Sequence, residues 1–390
     1  MADGEIDGRR PRTLIVSAYA EPHVGGVEVV VAQQARTLVA LGHHVTLVTS
    51  QCGAGATKFE HVDGFDIVRF PAWNKLEELR GVALPIWSPA AIWPLARLVK
   101  DADIVHVHDV YHPASMLAAM HAKRLGRPLF ITQHVAIVDH DKAIVKLVQK
   151  LIYASAARFL WKWAVTITVY NPIVENFIAG HRVGRGKIRL TYNGIDTTRF
   201  RPGDPDSARA TKISYGLDPD RPVILFAGRL VPKKGVTKLV GAAGPEYQVV
   251  LAGPGSVPAD IPAGVTFLGP LDRRDLLRVY QASDIFALPA VSEMLTLAMQ
   301  EAMACGLPVV TTNDRAYDRY EFDPAGIALV APEPEVLRSV FLDILGDPAR
   351  RKRMQEYSRQ LAEERFDWQK NAAAQAADYD RARRSGQLVS

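Results

Sequence analysis

Cysteine is scarce in this chain: among 390 residues there are only two, Cys52 and Cys305. The count argues against a disulfide framework and against a zinc or iron–sulfur site built on cysteine thiolates. So low a content is typical of a protein that works in a reducing cytoplasm.

Long apolar runs are absent as well. No stretch reaches the about 18 apolar residues that a membrane-spanning helix needs, and the nearest candidate, residues 151–170, is interrupted by Arg158 and Lys162. The N-terminal segment MADGEIDGRR lacks the apolar part of a secretory signal. We therefore expect a cytoplasmic protein that does not cross a membrane.

A strong excess of one charge is also missing. Lys and Arg number 47 against 42 Asp and Glu, and the resulting net charge of +5 is too small to indicate a nucleic-acid partner. With 48% apolar and 23% charged residues, the composition is that of an ordinary globular protein. The length suits two to three domains of ~150 residues each.

What the sequence does contain is an alternation of short β-branched runs with helix-length amphipathic segments, which predicts parallel α/β sheets. The alternation pauses at the turn-forming stretch RPGDPD, residues 201–206, which predicts a domain boundary. Strands are expected at 13–19, 45–49, 65–70, 104–108, 129–132 and 165–169, then at 223–227, 248–252, 265–268, 285–288 and 308–311. Helices are expected at 27–41, 114–124, 144–163, 236–243, 274–281 and 297–304, and after residue 331 at 335–345, 348–364 and 368–384. Two doubly wound halves would present the carboxyl ends of their sheets to a central cleft, where ligands of such folds bind.

Two glycines follow the first predicted strand. Gly25 and Gly26 precede a helix that starts near Val27, so the backbone could approach a ligand closely and the free amides of the helix start could attract a phosphate. A tight turn that needs glycine torsions explains the pair at least as well, and the spacing is not that of a dinucleotide fold.

A basic loop follows the first strand of the second half. The run Gly228-Arg229-Leu230-Val231-Pro232-Lys233-Lys234-Gly235 places a guanidinium and two ammonium groups at the carboxyl end of that strand. Such groups can clamp a diphosphate, whereas adjacent surface lysines are more often simply solvated. The position in the fold favours the binding interpretation for Arg229 and one lysine.

Two glutamates bracket the start of a later helix. If that helix begins near Thr296, Glu293 lies in the loop before it and Glu301 about one and a half turns inside. A carboxylate among apolar neighbours needs a partner, and sugar hydroxyls would serve. The alternative is one charge at a helix N-terminus and one surface charge.

Taken in order along nearly the whole chain, these features resemble the GT-B glycosyltransferases, in particular the retaining family 4. No single motif decides the resemblance; it rests on the ordered set. The set comprises Gly25-Gly26, Thr132-Gln133-His134, Asn193-Gly194-Ile195-Asp196 with Phe200, Gly228-Arg229-Leu230, Lys234-Gly235, the pair Glu293 and Glu301, and the run from Glu301 to Val310.

The resemblance implies a GT-B architecture of two Rossmann-like domains facing a cleft, with C-terminal helices that pack back toward the N-terminal domain. The implied N-terminal, acceptor-side domain spans residues 1–200. The implied donor-binding domain spans 201–366, and a C-terminal helix at 367–390 returns toward the N-terminal domain.

The resemblance also implies roles for individual residues. Arg229 and Lys234 would bind the donor diphosphate, Glu301 the ribose hydroxyls and Glu293 the transferred sugar. His134 resembles the family histidine near the donor sugar at the reaction centre. Without the resemblance, it would be interpreted as a histidine at a strand end whose hydrogen bonds are made within the protein.

Backbone amides complete the implied site. Those of Gly25 and Gly26 would contact the phosphate or sugar, and the loop of Met294, Leu295 and Thr296 would offer further amides to the donor phosphate. Family members usually carry a glycine or proline and a phenylalanine after the first glutamate. The departure at residues 294–296 leaves the donor-sugar preference open.

No metal or other cofactor is expected. Fixed cations and a helix N-terminus can stabilise the leaving diphosphate without a metal ion. Three Asp-x-Asp sequences, at residues 101–103, 204–206 and 218–220, have no further ligands nearby and are interpreted as turn residues and helix caps.

A basic amphipathic segment raises a further possibility. Lys142, Lys146 and Lys150 recur every four residues opposite an apolar face, and Trp161 and Trp163 flank Lys162 further along. Such a helix suits an anionic membrane surface on the inner face of the plasma membrane. A helix packed on the first sheet with a solvated lysine face explains the pattern equally well.

The predicted function is therefore a retaining, metal-independent transfer of a sugar from a UDP- or GDP-linked donor. The predicted acceptor is a lipid-linked or glycan intermediate of cell-surface polysaccharide or glycolipid synthesis. The alternatives are a sugar-nucleotide epimerase or a phosphorylase on the same fold, a transferase acting on a small-molecule natural product, and a non-catalytic protein that binds a nucleotide sugar or a partner.

Overall fold

The computed structural model describes residues 10–23, 26–51, 57–75, 84–137, 143–192, 194–256, 261–291 and 295–385. The chain divides into two compact units. The first unit contains residues 1–193 together with 368–390, and the second contains residues 194–367. Each unit is built around one largely parallel sheet.

The sheet of the first unit has strand order β3-β4-β2-β1-β6-β7-β8-β9, and β5 pairs with β4 at its margin. Among the strands of the described residues, only β3 and β5 run antiparallel, and both pair with β4. The strands are β1 (Arg12–Val16), β2 (His44–Gln51), β3 (Phe59–Val62), β4 (Phe65–Trp73), β5 (Ile86–Trp87), β6 (Ile104–His108), β7 (Leu129–Gln133), β8 (Thr166–Val169) and β9 (Ile188–Leu190).

Helices cover both faces of this sheet. They are α1 (Gly26–Ala40), α2 (Ile92–Asp101), α3 (Pro113–Arg124), α4 (Ala143–Ile152), α5 (Arg158–Trp163), α6 (Pro172–Gly180) and the C-terminal α13 (Trp368–Ser385). Helix α13 packs against α1 and buries Ala376, Tyr379 and Ala382 with Ile15 and Phe130 of the sheet. The last helix of the chain is therefore part of the core of the first unit.

The second unit has six parallel strands in the order β12-β11-β10-β13-β14-β15. They are β10 (Val223–Ala227), β11 (Gln248–Ala252), β12 (Val265–Gly269), β13 (Ile285–Leu288), β14 (Val309–Thr312) and β15 (Ile327–Val330). The helices are α7 (Pro205–Ser214), α8 (Val236–Gly241), α9 (Arg273–Gln281), α10 (Leu297–Ala304), α11 (Pro334–Gly346) and α12 (Pro348–Arg365). Strands β10 and β13, which lie side by side at the centre, are buried along their whole length, as a strand covered by helices on both faces must be.

The predicted fold class, an α/β protein of two doubly wound halves, is confirmed. The single helix expected at 144–163 is instead α4 and α5 joined by a π-helical turn, Tyr153–Ala157. Two of the three Asp-x-Asp sequences are as predicted: Asp204 caps α7 by accepting a hydrogen bond from the Ser207 backbone, and Asp218 is a turn residue that accepts one from the Asp220 backbone.

Candidate functional site

The loop after β10 is held in place by glycine. Gly228 and Gly253 both have positive φ, and a Cβ on Gly253 would lie 2.0 Å from the carbonyl oxygen of Gly228. One residue beyond Arg229, the Leu230 amide donates to the Pro254 carbonyl at 2.8 Å. The backbone on both sides of Arg229 is therefore fixed against the loop that follows β11.

The far end of the same loop packs against the loop after β13. Gly235 has φ +74°, and a Cβ there would lie 2.0 Å from the Pro289 carbonyl oxygen. The Val291 amide donates to the Lys233 carbonyl at 3.0 Å. Only glycine allows this close approach, and the contact joins two loops at the carboxyl edge of the second sheet.

Arg229 and Lys234 belong to this loop, residues 228–235, which we call the braced loop because it packs against the loops after β11 and β13. The Arg229 side chain is exposed and makes no hydrogen bond or ion pair with another residue in the described part of the chain, and Lys234 is half-buried. A guanidinium held on a rigid loop can bind two oxygens of a phosphate at once.

Helix α10 begins where the sequence predicts. The Thr296 hydroxyl accepts from the Met299 amide at 3.2 Å and caps the helix. Leu295 is buried, and its carbonyl accepts from the buried side-chain amide of Gln300 at 3.1 Å. The same Gln300 accepts from the Gly194 amide at 3.1 Å, so it ties the helix start to the first residue of the second unit.

Glu301 follows Gln300 and lies one turn into α10. It is half-buried, and the Tyr280 hydroxyl donates to its Oε2 at 3.1 Å. Burial raises the pKa of Glu301 from 4.5 to about 7, against the opposing influence of Arg273, the Tyr280 hydrogen bond and Arg199. The partly buried carboxyl group can therefore accept further hydrogen bonds beyond the one from Tyr280.

Three predicted site residues, Gly25, Glu293 and Met294, lie outside the described residues. Gly26 is the first residue of α1, and a Cβ there would meet nothing within 4 Å. Packing therefore does not require a glycine at position 26, and the space beside its backbone is open.

His134 follows the last residue of β7 and is buried. Its backbone amide donates to Asp109 Oδ1 at 2.8 Å, and its Nε2 lies 2.9 Å from Nδ1 of His108. Burial lowers the pKa of His134 to about 3, so the ring is neutral at ordinary pH. His134 is therefore a neutral imidazole that is hydrogen-bonded to His108, the last residue of β6, and through its backbone to Asp109.

Asp109 is a site residue that the sequence reasoning missed. It has φ +53° directly after β6, and it accepts from the His134 amide and from the Gln133 side chain at 3.0 Å. Burial raises its pKa to about 7, although backbone hydrogen bonds from His134 and Val135 oppose the change. The available signal was an acidic residue directly after the predicted strand 104–108, since residues that follow neighbouring parallel strands lie at the same edge of a sheet.

The basic amphipathic segment is only partly as predicted. Lys142 lies outside the described residues, Lys146 belongs to α4, and Lys150 is exposed. Leu147 and Leu151, on the same helix, are 51% and 60% exposed, so α4 presents apolar side chains to the surface.

Of the two interpretations of Trp161, a membrane surface or packing in the first unit, the structure favours packing. The side chain is fully buried in the core of the first unit and stacks on Tyr153 with 5.5 Å between ring centroids. Trp163 is half-buried, with Lys123 Nζ 3.7 Å from the centre of its ring. The tryptophans therefore belong to the packing of α5, because the helix turns one face toward the sheet.

Within the described ranges no helix is long and apolar enough to span a membrane, and no group of three or more His, Cys, Asp or Glu side chains has the arrangement of a metal site.

Two units, each built around a largely parallel α/β sheet, match the predicted GT-B fold. A solved structure, Anabaena HepE in complex with UDP, shares the fold with a TM-score of 0.74 at 17% identity, over 94% of this chain and 99% of the other. Residues 24–199 match the family described as Glycosyltransferase Family 4, and residues 208–361 match the one described as Glycosyl transferases group 1.

Curated relatives agree with these matches. The D-inositol 3-phosphate glycosyltransferase of Mycolicibacterium gilvum is 38% identical over 330 residues, 77% of this chain and 74% of that protein. A GDP-mannose-dependent monoacylated alpha-(1-6)-phosphatidylinositol monomannoside mannosyltransferase of Corynebacterium glutamicum is 24% identical over 385 residues, 92% of this chain and 95% of that protein. The chain belongs to glycosyltransferase family 4 and is a glycosyltransferase.

Proposed function

We propose that the protein transfers a sugar from a nucleoside-diphosphate sugar to an acceptor, with retention at the anomeric carbon and without a metal ion. The proposal is carried by the packing of the loop after β10 on the loop after β13, which fixes Arg229 and Lys234 at the carboxyl edge of the second sheet. Ligands of open parallel sheets bind at that edge.

Arg229 and Lys234 bind the donor diphosphate. As the sugar leaves, negative charge grows on the diphosphate oxygens, and cations already in place stabilise it with little reorganisation. The capped start of α10, behind Thr296, and the amides of residues 294–296 add the positive end of a helix. These groups take the part that a metal ion plays in other transferases.

Glu301 binds the ribose hydroxyls, and Glu293 binds the transferred sugar. A carboxylate accepts hydrogen bonds from two adjacent hydroxyls, and the partly buried setting of Glu301 strengthens them. Burial that disfavours the charged form in the free protein is offset when those hydroxyls donate to it.

His134 contacts the donor sugar as a neutral imidazole, and the amides of Gly25 and Gly26 contact the phosphate or sugar.

In the reaction, the bond between the anomeric carbon and the diphosphate oxygen breaks. The acceptor oxygen bonds to that carbon on the same face, and its proton passes to the departing diphosphate oxygen. Since that oxygen gains charge as it leaves, the reaction generates its own base.

The names of the relatives support the choice of substrates. The Corynebacterium protein is named as dependent on GDP-mannose with a phosphatidylinositol mannoside as acceptor, and the Anabaena structure contains UDP. We assign this chain a UDP- or GDP-linked donor and an acceptor that is a lipid-linked or glycan intermediate of cell-surface polysaccharide or glycolipid synthesis.

A lipid-linked acceptor calls for contact with a membrane, and α4 supports it. Leu147 and Leu151 expose apolar surface on α4, and Lys150 adds an exposed cation on the same helix. We assign the face of α4 defined by these three residues to the anionic inner surface of the plasma membrane, with the enzyme otherwise in the cytoplasm.

Donor hydrolysis tests the proposal directly. The purified protein is incubated with GDP-mannose or UDP-glucose, with and without EDTA, and the nucleoside diphosphate released is measured. Release that is unaffected by EDTA is the expected result, and NMR of a product formed with added acceptor should show the anomeric configuration of the donor. Abolition by EDTA contradicts the metal-free step, and conversion of the donor sugar without release of nucleotide indicates an epimerase.

A further inference from the structure

Behind His134 lies a chain of hydrogen-bonded side chains inside the first unit. His134 Nε2 lies 2.9 Å from His108 Nδ1, and His108 Nε2 lies 2.9 Å from the amide oxygen of Gln34 on α1. The amide nitrogen of Gln34 donates to the side-chain oxygen of Gln375 on α13 at 2.6 Å. His134, His108 and Gln34 are all buried, so water does not compete for these bonds.

The direction of each hydrogen bond in this series follows from the side-chain amide of Gln34. An amide oxygen can only accept, so the proton of the His108–Gln34 bond sits on His108 Nε2. Burial lowers the pKa of His108 well below its usual 6.5, and a neutral imidazole has one N–H, so its Nδ1 accepts. The proton between the two rings therefore sits on His134 Nε2, and Nδ1 of the neutral His134 keeps a lone pair.

The orientation of the Gln34 amide is set by helix α13. Its nitrogen faces the Gln375 oxygen, and it also lies 3.4 Å from the Tyr379 hydroxyl and 3.3 Å from His106 Nδ1. Two of these three partners, Gln375 and Tyr379, belong to α13. The last helix of the chain thus reaches the histidine at the end of β7 through Gln34 and His108.

We propose that Gln34 and His108 are positioning residues that hold His134 in the tautomer with its proton on Nε2, and that Gln375 of α13 fixes this choice. The inference rests on the proposed function, in which His134 contacts the donor sugar. His134 then offers that sugar an acceptor at Nδ1, so the site takes a donor with a hydroxyl group at the contacted position and rejects one with a carboxylate there.

Nitrogen NMR of the full chain labelled in histidine reads the tautomer without any substrate. The His134 signals are assigned by their loss in His134→Gln. In the wild type, we expect His134 and His108 both to carry their proton on Nε2. In His108→Phe and Gln34→Met, we expect His134 to lose that single tautomer. A proton on Nδ1 of wild-type His134, or an unchanged tautomer in His108→Phe, overturns the proposal.

Kinetics supply the second readout. Gln34→Met and Gln375→Met should lower kcat/KM by about three- to tenfold for whichever of GDP-mannose and UDP-glucose is turned over, the size of one ordinary hydrogen bond. They should have no effect on the one monodeoxy donor that lacks the contacted hydroxyl. Gln33→Met is the matched control, because Gln33 is half-buried on the same helix and its side chain makes no hydrogen bond to another described residue. An equal loss with every deoxy donor refutes the positioning role.

The two failures can be told apart. If no nucleotide sugar is turned over, the proposed function fails, and the NMR result still decides the tautomer. If the donor is turned over but His134 carries its proton on Nδ1, only the present inference fails. Thermal unfolding of each variant shows whether it is folded, and Gln375→Met tests the same chain from the surface-facing side if Gln34→Met does not fold.

Discussion

Replacement of Glu301 by glutamine should make the protein more stable at high pH and weaken its binding of nucleotide. Burial raises the pKa of Glu301 from 4.5 to about 7, so the folded state binds a proton that the unfolded state has released. The stability that this proton contributes is complete below pH 4.5 and is lost as the pH rises through 7. The difference is worth roughly 3 kcal/mol at ~1.36 kcal/mol per pKa unit, and about 2 kcal/mol after allowance for the exposed part of the side chain.

Glutamine keeps the shape of the side chain and can still accept from the Tyr280 hydroxyl, so Glu301→Gln isolates the charge. Urea unfolding measured from pH 4.5 to 8.5 should show the variant gaining about 2 kcal/mol on the wild type across that range. The comparison between the two proteins cancels the titration of every group that they share. A constant difference in the free energy of unfolding at all pH values would refute the assigned pKa.

The same substitution should act on binding in the opposite sense. Ribose hydroxyls donate to the charged carboxylate, so the affinity of the wild type for UDP or GDP should rise as the pH increases through 7, and Glu301→Gln should bind about 10- to 100-fold more weakly at pH 8. The terminal phosphate of the ligand titrates near pH ~6 in both proteins and drops out of the ratio. Equal affinities at pH 8, measured by calorimetry, would show that Glu301 does not hold the nucleoside.

Other consequences are open to measurement. Gly235→Ala should destabilise the protein by at least about 2 kcal/mol in urea unfolding, because its Cβ would lie 2.0 Å from a carbonyl oxygen. Gly216 has a similar φ and open space around it, so Gly216→Ala should cost only about 1 kcal/mol. Equal losses of stability in the two variants would argue against the loop contact. Asp109→Asn should be tolerated and Asp109→Ala should cost about 2 kcal/mol, since only the first keeps an acceptor for the His134 amide, and similar unfolding curves for the two would contradict that. Lys150→Glu combined with Leu151→Ser should release the protein from anionic liposomes in a sedimentation assay while donor hydrolysis continues, and unchanged sedimentation would rule out the α4 surface.

The alternation of apolar runs was enough to predict two parallel α/β units, because strands covered on both faces must be apolar throughout. The start of α10 was also predictable, since Thr296 is a favoured cap before an apolar run. Both features depend on residues close together in the chain.

Features that depend on distant residues escaped prediction. A helical pattern does not say which face meets the sheet, so the sequence left a membrane surface open for Trp161, which packs on Tyr153 in the core. Likewise, His108 becomes the support of His134 only because α1 and α13 meet beside β6, which no local pattern indicates.

Calorimetric titration of UDP and GDP into the wild type and Arg229→Gln tests the central claim, that the braced loop after β10 holds the donor diphosphate. Lys233→Gln is the matched control, because Lys233 is an exposed lysine of the same loop. Loss of one charged, two-pronged contact should weaken nucleotide binding by about 10- to 100-fold in Arg229→Gln and leave Lys233→Gln close to the wild type. Equal affinity of the wild type and Arg229→Gln would contradict the account.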